Sequence, residues 1–259
     1  MGVYSARHTS SSSRNLMFKP DEFPGPHTKH LFASLLRLFT NSPLPLLILN
    51  TSGYYSHVES RSILDIRKSL ESHQGFQHKR DPVTREAAVA IVLRDTFNLI
   101  EILFIKRAKK TGDPWSGDMA FPGGHKENFD RSLAHTAMRE TFEETGLQLD
   151  HEELIGSLSE QQAIPRRHRT TLLIAPYVFS IKKDFNFVPN NEVDEVVWVP
   201  LESMLNGSIH TKEKRSVGTG ESSFDGYRAS SEHFIWGLTY RTLQTLFSVI
   251  KPGYTSPNN

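Results

Sequence analysis

The chain has 259 residues, 37% of them hydrophobic, and its 30 basic and 29 acidic residues leave a formal charge of +1. That length carries one large domain with extensions, and the near-neutral balance disfavours a protein built to coat nucleic acid, which would carry a strong basic excess. With no cysteine in the sequence, a disulfide scaffold, a thiolate metal site and a cysteine nucleophile are excluded. In chain order, residues 1–26 read as a disordered polar tail closed by Pro20, Pro24 and Pro26. The first 20 residues lack acids and carry Arg7, Arg14 and Lys19, a composition shared with mitochondrial transit peptides. The expected location is therefore cytoplasmic or mitochondrial rather than secreted. Residues 27–80 read as a helical extension, because Leu31, Leu35 and Phe39, and later Ile63, Ile66 and Leu70, recur at helical spacing. No run is long and apolar enough to span a bilayer; residues 30–50 come nearest but are broken by Arg37, Asn41, Pro43 and Pro45.

Asp81-Pro82 marks the boundary of the main domain, expected over residues 81–255. Residues 87–93 and 99–105 are short β-branched runs and read as strands. A Gly/Pro loop over 112–124 follows, then a helix over 131–145, with Asp130 as its expected N-cap and Gly146 as its left-handed end. Residues 172–180 and 193–199 read as further strands. Residues 206–231, rich in Gly, Ser and charge, read as a mobile loop. A last helix over 235–250 stops at Pro252-Gly253. Strands and helices alternate, so the fold class is α/β or α+β, with helices packed on sheet faces.

The chemistry concentrates between residues 123 and 147. Gly123-Gly124 is followed fifteen residues later by Arg139-Glu140, then by Glu143-Glu144 and Gly146-Leu147. On a helix, Glu140, Glu143 and Glu144 stand at i, i+3 and i+4 and share a face. Three carboxylates on one turn repel each other unless a cation neutralises them, and an all-oxygen cluster selects hard ions such as Mg²⁺ or Mn²⁺. A solvated acidic face is the other meaning of such a turn. The glycine pair, the helix boundaries and the apolar Leu133, Ala134, Ala137 and Met138 on the other side favour a site. The twelve histidines show no zinc spacing.

These residues resemble the Nudix box. Gly124, Arg139, Glu140, Glu143, Glu144, Gly146 and Leu147 fall on its positions. Asp130 stands where the box has its first Glu, eight residues rather than seven separate it from Arg139, and Thr141 fills an apolar slot. The stretch from Leu103 to Gly124 is similar to the segment before the box in the coenzyme A diphosphatase branch, although Gly112 stands where that branch usually has Arg. The resemblance implies a mixed sheet sandwiched between helices. It also implies divalent-metal-dependent hydrolysis of a diphosphate bond in a small nucleotide substrate, most naturally coenzyme A or a derivative. The alternatives are an oxidised-nucleotide or dinucleotide diphosphatase and a catalytically silent nucleotide-sensing module. It further implies Glu140 and Glu144 as principal metal ligands and Glu143 as a further ligand or base. Arg139 would orient the glutamates. Glu192 or Glu195 would be the base or complete the metal shell. Gly123 and Gly124 set the turn beside the helix. Arg107 is the first choice for substrate phosphate among Lys106, Arg107, Lys109 and Lys110, with Arg166, Arg167 and Arg169 as a second basic group. Trp115 or Phe121 would stack on a base.

Overall fold

A computed structural model describes residues 47–49, 55–57, 61–96, 99–111, 115–163, 171–182, 185–217 and 220–257. Residues 1–60 and 61–259 form two separate units. In the first, β1 (Leu47–Leu49) and β2 (Tyr55–His57) pair antiparallel, so strands occur inside the region expected to be helical. The tail at 1–26 and the helix expected on Leu31, Leu35 and Phe39 lie outside the described residues.

The second unit opens with α1 (Ile63–Glu71), the helix expected from Ile63, Ile66 and Leu70. Ser62 caps it, accepting the N–H of Asp65 while the Asp65 carboxylate accepts the N–H of Ser62. Ile66 and Leu70 are buried in the core of this unit, so α1 belongs with it rather than with an extension ending at residue 80.

Two strands form the spine. β3 (Arg85–Thr96) and β4 (Leu99–Arg107) pair antiparallel, and β3 also pairs in parallel with β9 (Leu172–Ile181). The sheet runs β10 (Val193–Pro200), β4, β3, β9, β7 (Leu154–Ser157). Short β5 (Met119–Ala120), β6 (Gly123–His125) and β8 (Gln161–Ala163) pair with β4, β3 and β9. Both faces of β3 are covered, which makes its run continuously apolar instead of alternating. Its residues still divide by parity. Ala88, Ala90 and Val92 join the core cluster containing Ala137 and Met138 of α2 (Leu133–Thr145). Ile91 and Leu93 join the cluster containing Leu243, Leu246, Phe247 and Ile250 of α4 (Gly237–Ile250). Alanines on both sides of the first contact bring α2 close to the sheet; bulkier residues hold α4 further out. The result is a sheet between helices, as the fold class required.

The C-terminal third departs from expectation. Residues 206–231 are not a loop. After the short helix α3 (Leu201–Leu205), β11 (His210–Val217) and β12 (Gly220–Arg228) pair along eight positions, and β13 (Phe234–Trp236) pairs with β12. The last helix accordingly starts at Gly237, two residues later than expected. Composition hid the hairpin because the half-buried face of β11 is polar. Glu213 meets Arg228, and Arg215 lies over the rings of Phe234 and Trp236 at 5.1 and 5.4 Å. Ion pairs and cation–π contacts take the place of the apolar alternation that announces a strand.

A buried ion pair ties the extended segment after α1 to the sheet. The Glu160 side chain is 5% exposed and accepts two N–H groups of Arg80, at 2.5 and 2.9 Å, and the backbone N–H of His78 at 2.8 Å. Arg80 also reaches Glu86 at 3.0 Å. Removing Arg80 leaves a buried carboxylate without its cation, so Arg80→Ala is expected to cost roughly 3 kcal/mol. Urea unfolding measures this; a midpoint equal to that of the wild type would deny the pair its structural role.

Candidate functional site

The helix α2 carries the glutamates, and its ends are set locally. Gly146 closes it with φ 76°, donating its N–H to Phe142 at 2.8 Å. Its N-cap is Ser132, whose Oγ accepts the N–H of His135 at 3.1 Å. Asp130, the expected cap, does another job. Its side chain is fully buried and accepts from Arg139 Nε at 3.1 Å and Nη2 at 3.0 Å, from the Thr136 hydroxyl at 3.0 Å and from the Glu127 N–H at 3.0 Å. Burial opposes the charge on Asp130, but these donors outweigh it and hold the carboxyl far below the usual carboxylate range.

Arg139 is a hub. Beyond Asp130, its guanidinium meets Glu140 at 2.9 Å, Glu143 at 2.9 Å and the carbonyl of His125 at 3.0 Å. Asp130 raises its pKa further above the ordinary arginine value. The planar fork makes one residue able to fix the loop before the helix and two carboxylates on it.

Glu144 lies deepest, at 4% exposure. Its Oε2 accepts the N–H of Gly123 at 2.9 Å. Burial pushes its carboxyl up to about 8, against that hydrogen bond and with help from the charge of Glu140. Glu140 is shifted upward as well, chiefly by burial and despite Arg139. Gly124 makes room for it: a Cβ there would stand 2.5 Å from the Glu140 carboxyl carbon. Gly123 is constrained differently, with φ 154° and a would-be Cβ 2.3 Å from the Ala88 carbonyl oxygen. Two carboxylates brought together and under-compensated by the protein fit a hard divalent cation, and Mg²⁺ is commonly held by one or two carboxylates with water and substrate oxygens completing the shell. Among the described residues no group of three or more His, Asp or Glu is gathered at ligand spacing. Glu143, 49% exposed, is drawn toward Arg139.

Other expected residues divide. The charges of Arg107 and Glu192 both act on Glu144, placing them at this end of the site. Lys110 pairs with Glu192 at 2.5 Å. Glu195 is placed instead with His233, 2.8 Å away, and the positive field of Lys106. Phe121, expected on the substrate, is 4% exposed and stacks on Phe104 with ring centroids 5.0 Å apart; it is a core residue because β5 and β6 carry it under the sheet. Trp115 is 57% exposed. Arg166, Arg167 and Arg169 lie outside the described residues, as does Gly112. Sequence reading missed His233 altogether, since a lone histidine after a serine-rich stretch carries no signal of its own.

Residues 84–217, just over half of the chain, match the family model described as NUDIX domain. Nudix hydrolase 22, chloroplastic, of Arabidopsis thaliana is 31% identical over 194 residues, covering 71% of this chain. The match spans 62% of that relative, under two thirds of its length. A mitochondrial coenzyme A diphosphatase of Mus musculus is 28% identical over 66% of this chain and 81% of its own. A MutT/nudix family protein from Enterococcus faecalis overlays with a TM-score of 0.43 at 16% identity, covering 74% of this chain and 69% of its own.

The two glycines should respond differently to the same methyl group. Gly123→Ala meets backbone and is expected to cost about 2 kcal/mol or more in urea unfolding, by strain that nothing nearby can relieve. Gly124→Ala meets only the end of a flexible side chain, so the fold should hold while the Glu140 carboxylate moves. Equal losses of stability in the two variants would contradict this placement.

Proposed function

This chain belongs to the NUDIX domain family, and from that premise we propose that it hydrolyses the diphosphate linkage of a nucleoside-diphosphate-linked substrate with Mg²⁺ or Mn²⁺ bound by Glu140 and Glu144. The observation that carries the reading is the juxtaposition of these two carboxylates beside Gly123 and Gly124, with the charges of Arg107 and Glu192 acting on Glu144. Coenzyme A or a derivative is the favoured substrate. A Mus musculus relative at 28% identity is named for that activity, and the segment from Leu103 to Gly124 is similar to that branch.

Hydrolysis needs a water aimed at one phosphorus, a group to take its proton, and relief of the charge that grows on the departing phosphate. A divalent ion, when bound, acidifies water and polarises the diphosphate oxygens. The protein's part is positional. The N–H of Gly123 aims the Glu144 carboxylate. Arg139 orients Glu140 and Glu143 without touching substrate, which makes it a positioning residue. Glu192 is assigned as proton acceptor for the attacking water, with Glu143 as a further ligand or the rival base. Arg107 faces the developing negative charge. The P–O bond to the bridging oxygen breaks as water's oxygen bonds to phosphorus, and both products leave as phosphate monoesters.

Purified protein incubated with coenzyme A, acyl-coenzyme A, NADH, ADP-ribose and oxidised dGTP, each with Mg²⁺ and with Mn²⁺, should cleave at least one, read by ³¹P NMR. Glu144→Gln and Glu140→Gln are each expected to lower kcat by about a hundredfold to a thousandfold. Turnover that survives Glu144→Gln would remove Glu144 from the mechanism, and nucleotide binding without any cleavage would favour a sensing module.

A further inference from the structure

The strand β4 delivers consecutive residues to opposite faces of the sheet. Ile102 and Phe104 pack in the α4-side core, and Leu103 in the α2-side core. By the same alternation Arg107 emerges beside α2, where its charge acts on Glu144, and Lys106 emerges on the α4 side, where it meets Glu232 at 3.1 Å. Glu195 is the register partner of Lys106 across β10 and so shares that second face, beyond an irregularity in pairing between Val193 and Glu195. β10 ends the strand order, so no other described strand separates the two faces there.

Glu195 is held with unusual care for a side chain 48% exposed. His233, only 8% exposed, places Nε2 2.8 Å from its Oε2. The tautomer follows from the network. Ser230 Oγ accepts the N–H of Glu232 at 3.2 Å and lies 2.9 Å from His233 Nδ1. A carboxylate oxygen only accepts, so Nε2 donates its proton to Glu195; in the neutral imidazole Nδ1 is then the acceptor, and the Ser230 hydroxyl donates to it. Glu195 Oε1 makes no hydrogen bond to any described residue. A carboxylate oriented in advance, with an open acceptor at the surface, is suited to a neutral hydrogen-bond donor. The Lys106 ammonium on this face is already balanced by Glu232, 3.1 Å away, and by the charge of Glu195, whereas Arg107 and the metal-binding pair favour phosphate on the other.

We propose that Glu195, positioned by His233, recognises hydrogen-bond donors on the organic part of the nucleotide, either ribose hydroxyls or a base amino group, while the diphosphate lies at the α2 side of the same sheet edge. This rests on the diphosphatase reading for the identity of the ligand, but its test is a binding measurement and needs no turnover. The full-length protein is titrated calorimetrically with α,β-methylene-ADP, with its 2′,3′-dideoxy form, with the hypoxanthine analogue, and with methylenediphosphonate, all with Mg²⁺.

Glu195→Gln keeps the hydrogen bond from His233 but replaces the open acceptor with an amide donor. It should weaken α,β-methylene-ADP about tenfold, as expected for loss of a charged hydrogen bond, and leave methylenediphosphonate unchanged. The same substitution should cost nothing against the analogue that lacks the recognised group: the dideoxy form if the ribose is read, the hypoxanthine form if the base is. His233→Ala should weaken the parent ligand several-fold, and His233→Gln, which can still donate, should recover part of that loss. Equal weakening of all four ligands, no effect on any of them, or failure of the wild-type protein to bind α,β-methylene-ADP would each overturn the proposal. If hydrolysis fails on every substrate while this pattern of binding holds, the diphosphatase reading falls and the recognition site stands.

Discussion

A buried carboxylate must have a cation, and in this chain the requirement of Asp130 for Arg139 organises everything around it. The Asp130 side chain is fully enclosed, and an isolated charge in that position would cost several kcal/mol. Nε and Nη2 of Arg139 answer it, while Nη2 also meets Glu140 and the carbonyl of His125 and Nη1 meets Glu143. One side chain thereby links the loop before α2, the end of β6 and the exposed face of the helix. Since Asp130 turns inward to meet the guanidinium, α2 is capped by Ser132 and begins at Leu133.

That arrangement works only if α2 lies close to the sheet. Ala88 and Ala90 on β3, with Ala134 and Ala137 on the helix, are all buried. The small side chains let the helix backbone approach until Glu144 reaches the Gly123 N–H and the Glu140 carboxylate lies over Gly124. The opposite face of the same sheet carries Ile91, Leu93, Ile102 and Phe104, which belong with α4 to the larger core cluster. Fine positioning and hydrophobic stabilisation are thus divided between two faces of one strand, with side chains alternating between them.

The division extends to charge. At the end of β4, Arg107 acts on the glutamate side and Lys106 on the side of Glu195 and Glu232. Neighbours in the chain, they serve environments of different polarity. Glu192 and Glu195, three residues apart, separate in the same way. The overall charge of +1 conceals this, because the separation is local.

Much of the molecule is legible in its sequence. Spacing alone put Glu140, Glu143 and Glu144 on one turn, and Gly146 marked the helix end, because helical geometry and glycine's tolerance of positive φ act over a few residues. The strands β3, β4, β9 and β10 were visible as apolar runs, since burial on both faces leaves that mark in composition. What failed to show depended on partners distant in sequence. Asp130 read as a cap because its partner Arg139 is brought to it only by folding. Phe121 read as a stacking surface until Phe104 covered it. The β11–β12 hairpin read as a loop because its inner face is satisfied by ions and rings from β12 and β13 rather than by apolar residues of its own. Local periodicity and residue type determined which groups this chain possesses and which helix carries them. Tertiary structure decided which faces they share, because register, strand order and burial bring together residues between which no short-range rule operates.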